Sequence, residues 1–469
     1  MTEKIVDHVN TGCFNIHTDR RYQTVRDFGA SLCWWSTALG GTALGSELLN
    51  LLYTDRGLGL NVLRFNAGGG VLQDRSDSCT PNEPRRAPYS PLRADGSYDL
   101  TADGRTLTLL QEAVKLGTVT DFTLFMNSPP STMTISGKTH AHRPEKEGEY
   151  VSNLRDDCYN SYAKYVADVT ELYIEAGIPV KYVSPVNEPQ WQWDDRNWQE
   201  GCHYTPEECV RIFRLVIEEL NARAAVNPAL ANVRLSMPET AQWYQRTYVH
   251  DMYKIMCEDP QIASHIDHFS AHSYGTSEQN KRDTRAYFDT LGIDIPLHQT
   301  EWAPLHADFT DNMDFALELA RVMWEDMTIL HTDHWTWWLG VGGPSWPDGL
   351  IALDHATGEY VLPKRYFVMQ QHSRFIRDHI LVEVESIDLP KCVSASAYLS
   401  EDEKELVVIL INHDDQYQGV QLAGIPEEGE ATIFETSLEH DCACLGKRCV
   451  SEGLRLAPRS VTNLVIHRV

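Results

Sequence analysis

The chain of 469 residues is 42% hydrophobic, and its 67 acidic residues outnumber its 40 basic residues, which gives a formal net charge of −27. The composition is that of a globular protein, and a chain of this length usually forms more than one hydrophobic core, so two domains are expected. Nucleic acids and anionic membranes are excluded as favoured partners because they carry the same sign of charge.

The N-terminal stretch MTEKIVDHVN has no apolar core of a secretory signal, and no later run approaches the ~18 apolar residues of a membrane helix. The 11 cysteines are odd in number and scattered, which is typical of reduced thiols rather than of a disulfide framework. We therefore expect a cytoplasmic protein without membrane insertion, or a secreted one if a signal has been removed. The sequence makes no prediction of the oligomeric state.

Short apolar runs that end in polar or aromatic residues alternate with amphipathic stretches along the first 378 residues. These runs predict eight strands, at 26–35, 60–70, 119–130, 178–189, 232–240, 266–274, 295–302 and 331–338. Helices are predicted between them, among others at 161–177, 205–223 and 311–327, and the second of these opens with a capping box from Thr205 to Glu208. The alternation favours a (β/α)8 TIM barrel over 27–378, with a doubly wound open sheet as the alternative.

A predicted helix at 364–378 is followed by a different pattern, in which short alternating strands are separated by turns. The strand candidates are CVSASAYLS, ELVVILINHD, EATIFETS and SVTNLVIHRV. They predict a β-sandwich over 379–469, joined by a strand pair within residues 1–26. Such a domain either binds carbohydrate or only braces the barrel, and bracing is the favoured interpretation because fold alone does not imply function.

The predicted strand ends carry the candidate chemistry, because active residues of a TIM barrel lie at the C-terminal ends of its strands. Strand four ends in Asn187-Glu188-Pro189, and strand seven ends in HQTEW with Glu301. Two carboxylates across a barrel mouth are suited to glycosidic cleavage, in which one is protonated to assist the leaving oxygen and the other is ionised. Nearby tryptophans offer flat apolar faces to a sugar ring.

These residues resemble glycoside hydrolase family 30, whose barrel carries its catalytic glutamates on strands four and seven. The resemblance covers nearly the whole chain and rests on SPVNEPQW, HQTEW, HSYG, DFGASLCWW and, in the sandwich, RSVTNLVI. DFGASLCWW, NSPP and QWQWDDRNWQEGCHY are most similar to the endo-β-1,6-galactanase branch. FNAGGG lacks the acidic residue that the glucosylceramidase-like branch has after strand two, and Ser131 replaces an aromatic residue common in the galactanase branch.

The resemblance implies that Glu188 is the general acid/base and Glu301 the nucleophile of a mechanism that retains anomeric configuration, with the carboxyl groups about 5–5.5 Å apart. It further implies that Asn187 hydrogen-bonds the sugar 2-hydroxyl, that Tyr274 lies close to Glu301, and that Trp338 forms the floor of the cleavage subsite. Structural roles are the alternatives, as ion-pair members for the glutamates and as core residues for the aromatic side chains.

Further candidate sugar contacts lie at or near the predicted strand ends. Gln299 shares a side of its strand with Glu301, and His272 shares a side with Tyr274. The full set of these candidates is His272, Trp35, Asn66, Gln299, Trp302 and Trp191. Core packing is the alternative for Trp35, and a turn-forming role is the alternative for Asn66.

No metal or other cofactor is predicted. The spacing of His265, His268 and His272 fits neither one strand face nor a zinc-binding helix. The segment CACLGKRC brings three cysteines together without an obvious fourth ligand, and FNAGGG is not a nucleotide-binding loop.

The sequence thus predicts a retaining β-glycosidase whose partner is an oligosaccharide or polysaccharide, with β-1,6-linked galactosides or galacto-oligosaccharides as the expected substrate. A β-1,6-glucanase, β-glucosidase or β-xylosidase of the same family is the alternative enzyme. From other classes, a non-catalytic carbohydrate-binding protein on the same fold and an interaction scaffold built on the sandwich remain open.

Overall fold

The computed structural model describes residues 12–80, 86, 88–245, 248–292, 295–306, 312–425, 430–450 and 453–468. The predictions made for residues 1–11 and for Asp311 lie outside the described residues. Within the described ranges, no helix combines the length and the apolar character needed to cross a bilayer.

The strands are numbered here in chain order. They are β1 Gly12–Val25, β2 Asp27–Ser31, β3 Val62–Ala67, β4 Asp121–Met126, β5 Val180–Ser184, β6 Arg234–Leu235, β7 Pro238–Thr240, β8 Phe269–His272, β9 Leu297–Glu301, β10 Thr332–Gly342, β11 Gly349–Leu353, β12 Tyr360–Val361, β13 His379–Ile387, β14 Val393–Ser400, β15 Glu405–Asn412, β16 Gln418–Ala423, β17 Glu430–Thr436, β18 Ala443–Cys449, β19 Leu454–Leu456 and β20 Ser460–His467.

The helices are numbered in the same way. They are α1 Ser36–Leu39, α2 Ala43–Tyr53, α3 Thr106–Leu116, α4 Tyr159–Glu175, α5 Pro206–Ala224, α6 Val249–Glu258, α7 Pro260–Ala263, α8 Glu278–Leu291, α9 Asn312–Glu325 and α10 Lys364–Ser373.

The chain divides into two compact units. The barrel unit consists of Phe28–Ala303 and His334–Gly342, and the sandwich unit consists of Met1–Asp27, Pro304–Asp333 and Gly343–Val469. This division differs from the predicted domains, 27–378 against 1–26 plus 379–469, because the segments that contain α9 and α10 group with the sandwich.

The barrel unit is built on a sheet with the strand order β6-β5-β4-β3-β2-β10-β9-β8-β7. β6 and β7 are two parts of the single segment 234–240, and they pair in parallel with β5 and β8 respectively. The two ends of the order therefore belong to one interrupted strand, which closes the ring. This confirms the predicted (β/α)8 barrel and excludes the open sheet.

The local signals around the barrel helices have the expected physical effect. At the start of α5, Thr205 Oγ1 accepts a hydrogen bond from Glu208 N at 3.3 Å, and Glu208 Oε2 accepts from Thr205 N at 2.8 Å, which completes the predicted capping box. The helix α3 ends at Gly117, whose φ of +71° is a left-handed conformation that glycine adopts without strain. The cap at the start of α5 fixes where the loop that follows β5 ends.

The sandwich unit contains a nine-stranded, mostly antiparallel sheet in the order β18-β17-β20-β15-β14-β13-β1-β16-β19. The sheet encloses an apolar core to which alternate residues of β15 contribute, namely Leu406, Val408 and Leu410. In the described part of the predicted N-terminal strand pair, Gly12–Val25 forms one long strand, β1, which pairs with β13 and β16. This second, mostly antiparallel sheet with its own apolar core confirms the predicted β-sandwich.

The helices α9 and α10 pack on the sandwich strands, α9 on β15 and β20 and α10 on β17. Trp324 Nε1 in α9 donates to Ala395 O at 2.8 Å, and Gln371 Nε2 in α10 donates to Val461 O at 3.0 Å. These helices cover a further face of the sheet. This explains why β15 is buried along nearly its whole length rather than on alternate residues.

Candidate active site

The two predicted glutamates meet at one end of the barrel. Glu301 is the last residue of β9, and Glu188 follows β5 after three residues. A carboxylate oxygen of Glu188 and one of Glu301 lie within 4.8 Å of each other. Both side chains are buried, with 7% and 5% of each residue exposed. The barrel therefore brings together two groups that are 113 positions apart in the chain.

Glu188 is held by its backbone in an uncommon conformation, with a φ of +48°. Its N–H donates to Glu239 O at 2.8 Å, and its carbonyl accepts from Trp193 Nε1 at 3.1 Å. A left-handed conformation is costly for a residue with a side chain, and it persists only where surrounding contacts enforce it. Both hydrogen bonds enforce it here, and they fix the direction of the carboxyl group.

Glu301 is flanked by a cation and a phenol. Arg64, from the middle of β3, donates from Nη1 to Glu301 Oε2, and Tyr274 OH donates to Oε1 at 3.0 Å. Burial and the charge of Glu301 raise the pKa of Tyr274 well above its ordinary value, so the phenol stays protonated and remains a donor. Each carboxyl oxygen of Glu301 therefore accepts a hydrogen bond from a neighbouring side chain.

His272, the last residue of β8, lies between two carboxylates. Its Nδ1 is 2.9 Å from Glu188 Oε1, and its Nε2 is 3.1 Å from Glu239 Oε2. Burial lowers its pKa, but the charge of Glu301 and the hydrogen bonds to Glu188 and Glu239 outweigh burial and raise the pKa to about 9. His272 is therefore a cation at neutral pH, and each ring nitrogen donates a hydrogen bond to an oxygen of a carboxyl group.

A third buried carboxylate, Glu239 in β7, completes the cluster. It accepts from Thr300 Oγ1 at 2.7 Å and from Ser236 Oγ at 2.5 Å. Burial opposes its ionisation, but the charge of Arg64 and the hydrogen bond from His272 prevail and lower its pKa far below the ordinary range. Glu239 is therefore a fixed negative charge beneath the site.

The pKa of Glu188 is shifted in the opposite direction. Burial and the charge of Glu301 raise it, although His272 and Arg64 oppose this shift. With Glu188 protonated, the cluster holds two cations, Arg64 and His272, and two anions, Glu239 and Glu301. These charges cancel, so a second ionised carboxylate beside Glu301 would be in excess.

Asn187 and Trp338, two of the predicted sugar contacts, are both buried. Asn187 Oδ1 accepts from Arg64 Nη2 at 2.8 Å, and because guanidinium can only donate, the amide NH2 group points elsewhere as a donor. The ring of Trp338 is edge-on to Trp34, with centroids 5.3 Å apart, and also edge-on to Phe125. Trp34, which the sequence did not single out, thus shares this aromatic wall.

Four other predicted contacts are enclosed by protein instead. Trp35 is 2% exposed, and its indole N–H donates to Ser31 O at 3.2 Å. Trp302 packs on Trp335 and Trp337. Gln299 is fully buried, with Oε1 accepting from Thr336 N. His272 is also fully buried and engaged at both nitrogens, so we correct its predicted role from sugar contact to positioning residue, because no face of its ring reaches the mouth.

Asn66 and Trp191 have surroundings of their own. Asn66 Oδ1 accepts from Cys33 Sγ at 3.0 Å, while its Nδ2 donates to Glu200 Oε1 at 3.3 Å. Burial raises the pKa of Glu200 to about 8. Trp191 is half-buried, and its backbone N–H donates to Glu188 O at 3.3 Å. Asn66 therefore belongs to a buried hydrogen-bond chain, and Trp191 belongs to the turn that holds Glu188.

Sequence reasoning missed Arg64 and Glu239, although each left a signal. Arg64 is the single charged residue in the otherwise apolar run LNVLRFN, and a charge in a buried strand needs a partner. Glu239 ends the fifth predicted strand, as Glu188 and Glu301 end theirs. The guanidinium of Arg64 also lies 3.7 Å from the ring centroid of Phe125, which fixes its plane.

Three side chains of the cluster around the two glutamates are of the types that bind metal ions. Glu188, His272 and Glu301 each bring one possible ligand atom within 4.8 Å of the others. Both nitrogens of His272 are already engaged with carboxylates, and Arg64 already pairs with Glu301. The cluster therefore satisfies its own charges. His268 lies just before β8 and His272 is its last residue, so these two histidines do not converge.

Known proteins are similar to this chain in sequence. A relative from Hypocrea rufa named endo-beta-1,6-galactanase is 24% identical over 415 residues, covering 83% of this chain and 78% of its own. A relative from Bacillus subtilis (strain 168) named glucuronoxylanase XynC is 24% identical over 361 residues, covering 73% of this chain and 72% of its own.

Among solved structures, a conserved exported protein from Bacteroides fragilis superposes with a TM-score of 0.81 at 21% identity, covering 97% of this chain and all of its own. A sequence profile described as O-glycosyl hydrolase family 30 matches residues 12–352, which is well over half of the chain. With paired glutamates at one end of a closed barrel, and a family match that spans the barrel, the chain belongs to O-glycosyl hydrolase family 30 and is a glycosidase.

Proposed function

We propose that the protein is a retaining β-glycosidase that acts by double displacement, with Glu188 as general acid/base and Glu301 as nucleophile. The observation that carries the proposal is the approach of the two carboxylates to within 4.8 Å. This spacing suits a retaining pair, whereas inverting enzymes hold their carboxyl groups about 6.5–9.5 Å apart to admit a water between them.

In the first step, Glu188 donates its proton to the glycosidic oxygen while Glu301 attacks the anomeric carbon. The bond from that carbon to the leaving oxygen breaks, and a glycosyl ester on Glu301 forms. In the second step, Glu188, now ionised, takes a proton from water, and the water oxygen displaces Glu301. The raised pKa of Glu188 suits the acid role, and the hydrogen bonds from Arg64 and Tyr274 orient the carboxyl group of Glu301 for attack.

The substrate we propose is a β-1,6-linked galactoside or galacto-oligosaccharide. The relative named endo-beta-1,6-galactanase supports this choice, because it matches more of this chain than the relative named glucuronoxylanase XynC does. Asn187 would donate its amide N–H to the sugar 2-hydroxyl, and Trp338 would lie beneath the sugar ring.

A hydrolysis screen tests the substrate and the mechanism together. The full chain is assayed on aryl β-galactosides, β-glucosides and β-xylosides and on β-1,6-galacto- and β-1,6-gluco-oligosaccharides, with products followed by proton NMR. We expect the highest kcat/KM on the galactosides and a β-anomer as the first product. An α-anomer as the first product would contradict the double displacement, and preference for another sugar would contradict the substrate.

The two glutamates are distinguished by leaving-group dependence. Glu188→Gln should retain activity on aryl glycosides with good leaving groups, because these need no proton donor, and should lose it on oligosaccharides. A 2-fluoro-glycoside with a good leaving group should add one glycosyl unit to the wild-type chain at Glu301, as measured by peptide mass spectrometry. Saccharide binding without turnover by the wild type would instead support a non-catalytic carbohydrate-binding protein.

A further inference from the structure

A continuous chain of side-chain hydrogen bonds runs inside the barrel from its N-terminal end to Glu188. It begins just before β8 at Asp267, whose side chain is 44% exposed, and the side chains that follow are buried. The members of the chain are, in order, Asp267, His268, Ser236, Glu239, His272 and Glu188. The first three lie outside the cluster of charges around the two glutamates, and they extend it towards the opposite end of the barrel.

The outer half of the chain joins Asp267 to the interrupted strand of the barrel. His268 Nδ1 lies 2.6 Å from Asp267 Oδ1, and His268 Nε2 lies 3.3 Å from Ser236 Oγ. Ser236 lies between β6 and β7, and its hydroxyl group donates to Glu239 Oε1 at 2.5 Å. Tyr182 OH donates to the other oxygen of Asp267 at 3.3 Å, so both oxygens of this carboxyl group are engaged.

The positions of the hydrogens follow from what each group can donate. Glu239 is ionised and can only accept, so the single hydrogen of the Ser236 hydroxyl group points to Glu239. Ser236 Oγ then accepts from His268 Nε2, and Nδ1 of the same ring donates to the carboxylate of Asp267. In this arrangement His268 carries a hydrogen on both ring nitrogens, and every bond of the chain has one donor and one acceptor.

The break in the fifth barrel strand allows Ser236 and Glu239 to meet. Residues three positions apart on a regular strand point to opposite faces of the sheet. Here β6 ends at Leu235 and β7 begins at Pro238, and Glu239 has a φ of +54°. A residue with a side chain adopts such a backbone conformation only where surrounding contacts enforce it. The interruption therefore directs both side chains into one cluster.

Ser236 fixes which oxygen of Glu239 faces His272. Ser236 bonds to Oε1, whereas Oε2 lies 3.1 Å from His272 Nε2. The other nitrogen of that ring, Nδ1, lies 2.9 Å from Glu188 Oε1. A rotation of the Glu239 carboxyl group would take away one of the two acceptors that hold the His272 ring. Ser236 can thus influence Glu188 through two intervening side chains.

We propose that Ser236, anchored by His268 and Asp267, is a positioning residue for the general acid/base, because it holds Glu239 in the orientation that keeps His272 bonded to Glu188. The proposal rests on the proposed function, since it concerns the same Glu188. It gives a role in the cleavage reaction to side chains that contact neither of the two catalytic glutamates.

The titration of His272 tests the proposal without any substrate. The full chain is labelled with 15N-histidine, and the signals of His272 are identified by their absence from a His272→Asn sample. In Ser236→Ala the carboxyl group of Glu239 can turn away from His272. The midpoint of the His272 titration should then fall by about one pH unit, which corresponds to one hydrogen bond between charged groups.

The charged groups around His272 are the same in wild type and in this variant. The groups that face the ring or its carboxyl partners are those of Glu188, Glu239, Glu301, Tyr274 and Arg64. Ser236 itself carries no charge. A shifted midpoint therefore reports a changed orientation of Glu239 rather than the loss of a charge.

Ser270→Ala is the matched control. Ser270 is a fully buried serine in β8, and among the described residues its hydroxyl group has no hydrogen-bond partner. The substitution removes the same atom as Ser236→Ala and should leave the midpoint of His272 unchanged. An unchanged midpoint in Ser236→Ala, or an equal fall in Ser270→Ala, would overturn the proposal.

The same spectra test the anchor at the N-terminal end of the chain. The signals of His268 are those absent from a His268→Phe sample. At neutral pH both of its ring nitrogens should show the 15N shifts of a nitrogen that bears hydrogen. An Nε2 without hydrogen would contradict the anchoring of Ser236 by His268.

Kinetics on the best substrate connect the chain to catalysis. Ser236→Ala should lower kcat about tenfold and leave KM within about twofold, because the general acid/base loses its orientation while no sugar contact is removed. Ser270→Ala should match wild type in both constants. A lowered midpoint of His272 with an unchanged kcat would also overturn the proposal, since Glu188 would then not depend on this chain.

The two kinds of measurement separate this proposal from the proposed function. If no β-linked substrate is hydrolysed but Ser236→Ala lowers the midpoint of His272, the cleavage reaction is wrong and the coupling of Ser236 to His272 stands. If β-galactosides are hydrolysed and the midpoint does not move, the cleavage reaction stands and the role of Ser236 is wrong.

Discussion

Each end of the barrel buries a histidine among other titratable side chains, but the pKa values of the two histidines are shifted in opposite directions. At the C-terminal end, His272 is bonded to two carboxylates, and its pKa is raised to about 9. At the N-terminal end, His298 lies near the start of β9, and burial together with the neighbouring His268 and His334 lowers its pKa well below the ordinary value.

The N-terminal cluster is a stack of three imidazole rings. The centroids of His268 and His298 are 3.8 Å apart at an interplanar angle of 13°, and those of His298 and His334 are 4.5 Å apart at 11°. Stacked rings cannot all carry a positive charge, because each charged ring would repel the next in a medium that screens poorly. This end is therefore stable with a neutral His298.

Burial alone does not set the charge of a histidine. His272 and His298 are both buried, yet their pKa values are shifted in opposite directions. What differs is the partner, because His272 lies between Glu188 and Glu239 whereas His298 is stacked between two imidazole rings. Carboxyl groups from different strands meet around His272, and they raise its pKa.

The largest effect is expected when the C-terminal cluster loses its proposed nucleophile. Glu301→Gln keeps the size of the side chain but cannot form a stable glycosyl ester, so kcat/KM should fall on the order of 10⁴-fold. Steady-state kinetics on the best substrate measures this. His298→Gln is the matched control at the other end of the barrel and should stay within about twofold of wild type by the same comparison of kcat/KM. A Glu301→Gln variant with more than a few per cent of wild-type activity would refute the assignment.

The second-largest effect on activity is expected when Arg64, the buried cation of the cluster, is replaced. Arg64→Lys keeps the charge, but one ammonium group cannot reproduce the guanidinium fork that reaches Glu301 and Asn187, so kcat/KM should fall about 100-fold. Arg64→Met should in addition lower the free energy of unfolding by about 3–5 kcal/mol, since buried carboxylates lose their partner. Chemical denaturation compares the two variants. Equal stability of both would mean that Arg64 does not balance this cluster.

A smaller effect, with a distinctive pH dependence, is expected for His272→Asn. The cation of His272 opposes the rise in the pKa of Glu188, so its removal should raise that pKa further. Glu188 then keeps its proton to higher pH, and the alkaline limb of the kcat/KM profile should move upward by about one pH unit. An alkaline limb that stays in place or moves downward would show that His272 does not act on Glu188 through its charge.

The stability of His272→Asn should also depend on pH in a defined way. In the folded protein the pKa of His272 is raised to about 9, so the protonated ring stabilises the fold fully below the ordinary pKa of about 6.5. That contribution is lost as the pH rises towards 9. Wild type should therefore lose unfolding free energy more steeply than the variant over this interval, as measured by urea denaturation.

The smallest effect on activity, and the opposite dependence on pH, is expected for His298→Gln. The folded state holds His298 neutral, whereas the unfolded chain protonates it below about pH 6.5, so acid destabilises wild type. Between pH 7.5 and pH 5, wild type should lose about 2 kcal/mol more unfolding free energy than the variant. Denaturation curves at the two pH values measure this, and parallel losses would contradict a neutral, buried His298.

Much of the fold could be predicted from the sequence because it depends on local patterns of residues. Apolar runs alternating with amphipathic stretches predicted the barrel, and Thr205 with Glu208 predicted the start of α5. The fifth strand was less predictable, because its run NVRLSMPET contains a proline and is divided into β6 and β7. Likewise, no local pattern in α9 and α10 states that these helices pack against sandwich strands.

The candidate site could be predicted only in part, because its contacts join residues that are far apart along the chain. Glu188 and Glu301 stood at strand ends within recognisable motifs. Arg64 is a charge in an apolar strand and Glu239 is a carboxylate near a strand end, and neither can be interpreted until its ion-pair partner is known. Trp35 and Trp302 were chosen as aromatic residues near the mouth, but the structure surrounds them with protein. Residue type and strand position cannot distinguish a side chain that faces the mouth from one that packs behind it.

The sequence was sufficient to predict the class of the protein, because strand periodicity, helix caps and the two glutamate motifs each involve residues that are close together along the chain. The tertiary structure alone decided which charges meet. Closing the ring places Arg64 from β3, Glu239 from β7, His272 from β8 and Glu301 from β9 around Glu188. The charge of each of these groups depends on distances of a few ångströms across the barrel, and no spacing along the chain encodes such distances.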